Sequence, residues 1–136
     1  MTTVPTELQP IATHLQLLGY EVEPDGDGDL MARHPAEVDF SVRPVHTGVM
    51  LVALFGLNEA GQKDKQGVRR LARLMNEQAV AVRIVLPTGA PDQFRVEAWT
   101  ALPYERVAFG RFLAVCQHEM RLRTIGDPAK IEAYLL

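Results

Sequence analysis

Val38-Asp39-Phe40-Ser41-Val42-Arg43, then a turn from Pro44 to Gly48, then Val49-Met50-Leu51-Val52-Ala53-Leu54-Phe55: the fold turns on the reading of this stretch. Apolar side chains at 38, 40 and 42 alternate with polar ones, which is the period of a strand with one wet face. The run from Val49 to Phe55 does not alternate. It is β-branched and aromatic enough to prefer a strand over a helix, and it reads as a central strand buried on both faces.

Upstream, Tyr20-Glu21-Val22-Glu23 alternates, Pro24 to Gly28 supplies turn chemistry, and Asp29 to Arg33 is extended again. Before these, Leu8, Ile11, Leu15 and Leu18 recur at helical spacing, with Thr6 as cap and Gly19 as stop. Pro10 then falls in the first turn, where its missing N–H costs little; a start near Thr3 would instead put Pro10 at a kink. Downstream, a second helix is expected from about Glu59 to Gln78, with Val68, Leu71, Ala72 and Met75 on its inner face. Gly61 and Gly67 each weaken it by roughly 1 kcal/mol relative to alanine. Val80 to Leu86 reads as a strand closed by Pro87, and Phe94 to Trp99 as its return. The third helix is placed near Pro103, burying Phe109, Phe112, Leu113, Cys116 and Met120. Gly126-Asp127-Pro128 introduces a final helix, Ala129 to Leu136.

The order α-β-β-β-β-α-β-β-α-α predicts an α+β fold, one mostly antiparallel sheet with helices packed on it. The chain has 136 residues, 47% of them hydrophobic and 23% charged, which fits a single domain over 1–136 and excludes a disordered or fibrous chain. The formal net charge of −3 argues against a dedicated nucleic-acid binder, leaving only a local patch for that role. One cysteine, Cys116, excludes an intrachain disulfide and suits a reducing compartment. Met1 to Pro5 carries no leader-peptide pattern, and the longest apolar run is far short of the roughly 20 residues a membrane helix needs. The expectation is a soluble cytoplasmic protein without a membrane partner.

Candidate chemistry is sparse. Asp25-Gly26-Asp27-Gly28-Asp29 begins like a calcium loop, but Leu30 and Ala36 stand where that loop needs Gly and Glu. In Gly56 to Asp64, Gln62 occupies the place of the phosphate-binding lysine, and Asp64 would repel a phosphate. Ser41 is the sole serine and lies in no nucleophile elbow; His14, His34, His46 and His118 show no zinc spacing. No catalytic residue, metal or cofactor is expected, and so no enzyme. The charge feature that stands out is Lys63, Lys65, Arg69, Arg70 and Arg73, a basic side of the second helix suited to an acidic protein or a phosphate backbone. Five phosphate contacts would give duplex affinity a log–log salt slope near −4.5. Phe94, Val96 and Trp99 lie on a strand that could present an open sheet edge to a partner chain.

Several segments resemble the YbjN family, whose fold is similar to that of type III secretion chaperones. They are Leu17 to Val22, Asp29 to Arg33, Leu71 to Leu86 (LARLMNEQAVAVRIVL), and the third helix with Phe112-Leu113. The similarity spans roughly residues 7–122, and the chain departs from the pattern in its Gly-rich 56–61 segment and its Pro-rich turns. The family is labelled as regulators of bacterial sensory transduction, its members are not known as enzymes, and its pattern contains no catalytic residue. The resemblance therefore implies a non-enzymatic, chaperone- or adaptor-like homodimer that binds another protein. The alternative is a regulator contacting nucleic acid through the basic side of the second helix.

Overall fold

In the computed structural model, which describes residues 3–136, six strands share one sheet. They are β1 (Glu21–Pro24), β2 (Leu30–Arg33), β3 (Phe40–Val45), β4 (Gly48–Gly56), β5 (Arg83–Val85) and β6 (Gln93–Ala101). Their spatial order is β1-β2-β3-β4-β6-β5, and every neighbouring pair is antiparallel. The helices are α1 (Gln9–Leu17), α2 (Glu59–Lys63), α3 (Lys65–Gln78), α4 (Arg106–Met120) and α5 (Pro128–Tyr134). The α+β architecture and the element order are as the sequence predicts, except that the second helix is two. Met1 and Thr2, where the leader-peptide reading starts, lie outside the described residues.

Strand alternation sorts the side chains. Leu30, Ala32, Phe40, Val42, Val49, Leu51, Ala53, Phe94, Val96 and Ala98 all turn to one face and join the core. There they meet Ile11 and Leu15 of α1, Val68, Leu71 and Met75 of α3, and Phe109, Leu113, Cys116 and Met120 of α4. Burying the α4 set alone contributes on the order of 10 kcal/mol before ordering costs. The reading of β4 as buried on both faces needs correction. On its second face Val52 is buried and Met50 half-buried, but Leu54 is 59% exposed, so coverage there is partial. A continuous apolar run reports hydrophobicity on both sides of a strand, not coverage of both.

The break in the second helix lies at Asp64, whose φ of −100° and ψ of 71° leave the helical region. Its carboxylate caps α3, accepting from the Gly67 N–H at 2.9 Å, and takes the Tyr134 hydroxyl at 2.5 Å on its other oxygen. The Tyr134 and Gly67 bonds hold the Asp64 carboxyl below the usual carboxylate range, and the bond to Asp64 pushes the Tyr134 hydroxyl up. A Cβ on Gly67 would collide with both partners, and one on Gly61 with the Tyr134 carbonyl. The two glycines thus admit the C-terminal segment rather than merely weakening a helix. Asn58 completes this clasp. Its amide N–H donates to the Tyr134 carbonyl at 2.9 Å, its side chain to the Ala133 carbonyl at 2.8 Å, and its Oδ1 caps α2 at Gly61.

Other boundaries move for local reasons. Thr6 opens a 3-10 turn (Thr6–Leu8) instead of capping α1, while Pro10 sits in the first turn and Gly19, at φ +97°, stops the helix as expected. α4 begins at Arg106 rather than near Pro103, because Glu105 caps it through the N–H groups of Val107 and Ala108. Asp127 caps α5 with Pro128 in the first turn.

Candidate functional site

Sheet edges carry unpaired main-chain groups, so their fate decides what the sheet can bind. The expectation that Phe94 to Trp99 forms an edge is overturned in its first half: β6 runs between β4 and β5, and Phe94 and Val96 are 2% and 0% exposed in the core. Both residues are therefore unable to touch a partner. The outer edge of β5 is occupied too. The Asn76 side chain, from α3, accepts from the Ile84 N–H at 2.7 Å and donates to the Ile84 carbonyl at 3.1 Å, mimicking a neighbouring strand. The β1 edge bears Glu21, Glu23 and Pro24, the charged and proline content that discourages pairing.

β5 is shorter than its sequence suggests because the preceding residues are drawn off the sheet. Glu119 on α4, 4% exposed, accepts from the N–H groups of Val80, Ala81 and Val82 at 2.6, 2.7 and 3.1 Å. This uncovers the end of β6. Since Ile84 faces Asn76, Arg83 and Val85 face β6, opposite Glu97 and Arg95. Antiparallel alternation then aims the N–H and C=O groups of Trp99 and Ala101 the same way, where no described residue meets them. A depression of about 240 Å³ lies alongside, lined by Met50, Ala81, Arg83, Glu97, Ala98 and Trp99.

Trp99, 44% exposed, is the one sequence-predicted edge residue that the fold leaves available. Its indole N–H donates to the Val45 carbonyl at 3.0 Å, laying the ring across β4 where a Cβ on Gly48 would strike it. Gly48→Ala is expected to cost about 1–3 kcal/mol and to shift the emission of this sole tryptophan, read by fluorescence and thermal melts.

The five cations are divided by the break at Asp64. Lys63 stays on α2 and pairs with Glu59 at 2.8 Å. Arg70 turns toward α5, beside Asp127, Lys130 and Tyr134 around a cavity of about 180 Å³. Lys65, Arg69 and Arg73, four residues apart, form one ridge on α3. Arg73 pairs with Glu77 at 3.5 Å; among the described residues, Lys65 and Arg69 form no ion pair. The ridge overlooks two adjoining depressions of about 560 and 310 Å³, which share Arg69 and Leu86.

The remaining chemical residues hold the fold together. Asp25 accepts from the N–H groups of Asp27 and Asp29 within its own turn, and Asp29 pairs with Arg43 at 3.1 Å. His14 Nδ1 lies 2.6 Å from the Tyr104 hydroxyl, and burial lowers its pKa. His34 Nδ1 accepts from the Ala36 and Glu37 N–H groups, while its other nitrogen donates to the Leu18 carbonyl. Burial pushes the Cys116 thiol up to about 12, so a thiol reagent is expected to leave the folded protein unlabelled and to react on denaturation. Among the described residues, no group of three or more His, Cys, Asp or Glu side chains is placed to hold a metal, and no helix is long and apolar enough to cross a membrane.

No family model and no curated protein matches the chain. Its fold does have a solved counterpart. The crystal structure of YbjN from E. coli, described as a candidate transcription regulator, superposes with a TM-score of 0.74 at 14% identity. The match covers 100% of this chain and 99% of that one. The resemblance read from short core-forming segments thus holds in three dimensions: from end to end, the chain has the YbjN fold.

Proposed function

We propose that the protein is a non-enzymatic, cytoplasmic protein-binding module, adaptor- or chaperone-like, that works as a homodimer paired through the open end of β6. The unpaired main-chain groups of Trp99 and Ala101 carry this reading. They are self-complementary. About a two-fold axis at Thr100, Trp99 meets Ala101 of the partner subunit and Ala101 meets the partner subunit's Trp99, an isologous contact with main-chain bonds in both directions. The residues that suggest chemistry in the sequence support a non-catalytic role, since Asp25, Asp29, His34 and Cys116 are each engaged in turns, clasps or the core.

Light scattering tests the dimer. A mass near twice 15.1 kDa is expected, and Ala101→Asp, which keeps the main-chain N–H but places a charge at the junction, should give the monomer. A wild-type mass of 15.1 kDa at working concentration would refute the pairing.

A second reading, a regulator touching nucleic acid, draws on the description of the E. coli neighbour and on the α3 ridge. With Lys63 and Arg70 turned elsewhere, three cations remain in line, and the expected salt slope falls from about −4.5 to about −2.7. A titration of duplex DNA across salt concentrations decides it; absence of binding retires it.

A further inference from the structure

We infer that the groove between α3 and the β5–β6 hairpin is a docking site for an acidic amphipathic helix of a partner protein. The inference rests on the protein-binding reading above, but not on the pairing through β6.

Charge complementarity points to the occupant. In a protein of net charge −3, the two depressions are walled by Lys65, Arg69 and Arg73, and Glu77 is the one carboxylate lining them. Glu77 is already engaged by Arg73 at the far end, which leaves Lys65 and Arg69 unneutralised over the middle. Below them the lining is mixed: Leu86, Pro87 and Pro91 give an apolar strip beside Lys65 and Arg69, over the nearly buried Val68, Ala72 and Ile84, while the end at Arg73, Asn76 and Glu77 is as polar as apolar. An acidic stripe beside an apolar stripe matches both features at once.

The main chain selects a helix over an extended segment. A strand would dock here by pairing with β5, but the outward N–H and C=O of Ile84 are taken by Asn76. With that edge closed, an extended chain would bury main-chain groups without partners, whereas a helix satisfies its own. The spacing agrees. Cations four residues apart recur about every 6 Å along α3, the interval at which a helix lying alongside presents carboxylates at i, i+4 and i+8. An oligonucleotide would satisfy the cations yet leave the apolar strip of Leu86, Pro87 and Pro91 uncovered, and no aromatic side chain stands among the lining residues to stack on bases.

The test is fluorescence anisotropy on the full chain. The probe is a labelled helical peptide of about 15 residues with Glu at i, i+4 and i+8 and Leu along the adjoining face. Its controls are the same peptide with Lys for Glu, and a labelled single-stranded oligonucleotide. Binding of the acidic peptide is expected, weakened about 10-fold by the pair Lys65→Glu and Arg69→Glu, and restored for that variant by the lysine peptide. Leu86→Asp should weaken it similarly, while Arg70→Glu, on the far side of α3, should not. Equal binding of both peptides, or no binding of the acidic one, overturns the site. Preferential binding of the oligonucleotide, lost in the same pair of variants, overturns it in favour of nucleic acid. Light scattering of the same samples separates the two proposals: an intact dimer that ignores the peptide removes only the groove, and a monomer that binds it removes only the β6 pairing.

Discussion

Glu119→Ala should lower stability by about 3–4 kcal/mol, a fall in Tm of roughly 10 °C for a chain of this size. The Glu119 carboxylate receives three consecutive main-chain N–H groups, from Val80, Ala81 and Val82. It is nearly inaccessible to water, so its removal leaves donors that solvent reaches poorly. Charge-assisted bonds of this kind are the stronger ones, and losing the acceptor costs the desolvation of every donor it served. Glu119→Gln keeps one acceptor oxygen but turns an NH₂ group toward an N–H, so it should fall between the wild type and alanine. Urea unfolding checks both. A loss under 1 kcal/mol for alanine would mean that water replaces the carboxylate, and that the segment is held by something else.

Asn76→Ala should cost about 2–3 kcal/mol and also change behaviour in solution. The amide serves both main-chain groups of Ile84 at once, so truncation leaves a donor and an acceptor unpaired at the margin of the sheet. The exposed edge then invites another chain. Concentration-dependent association of the variant in excess of the wild type's, seen by sedimentation, is the second expected sign. Asn76→Asp is the informative companion. It retains the acceptor for the Ile84 N–H and sets a carboxylate against the Ile84 carbonyl, so it should lose stability without opening the edge fully. If alanine neither destabilises nor associates, Asn76 is not what closes β5.

Local signals in the sequence account for the fold and little else. Alternation places Phe40 and Val42 inside, the Gly126-Asp127-Pro128 cap opens α5, and helical spacing gives the inner face of α4 down to Met120, with Phe112 at its margin, partly buried. Each is a property of a few neighbouring residues. The ends of β5 are not readable, because they are set by groups far away along the chain; the division of the second helix is half local, since Asp64 caps α3 at Gly67, and half distant, through Tyr134. Glu119 acts on residues 37 to 39 positions distant, and Tyr134 on Asp64 across 70. A signal did exist at Glu119: an acid between Cys116 and Met120 on an otherwise apolar face calls for donors, though not for particular ones. Asn76, inside the segment that carries the family resemblance, was a similar hint. The candidate surfaces fared as that logic predicts. The ridge Lys65–Arg69–Arg73 follows from helical spacing alone, whereas the place of Phe94 and Val96 depends on which strand lies outermost, and hairpin reasoning about single strands does not fix that order.

The clasp formed by Asn58, Asp64 and Tyr134 bears on how the protein is made. A ribosome delivers Tyr134 some 70 residues after Asp64, a delay of several seconds at ordinary rates of synthesis. Until then α2 and α3 lack the hydroxyl and carbonyl that fit against their glycines. The clasp is thus a contact that translation must pass Tyr134 to complete.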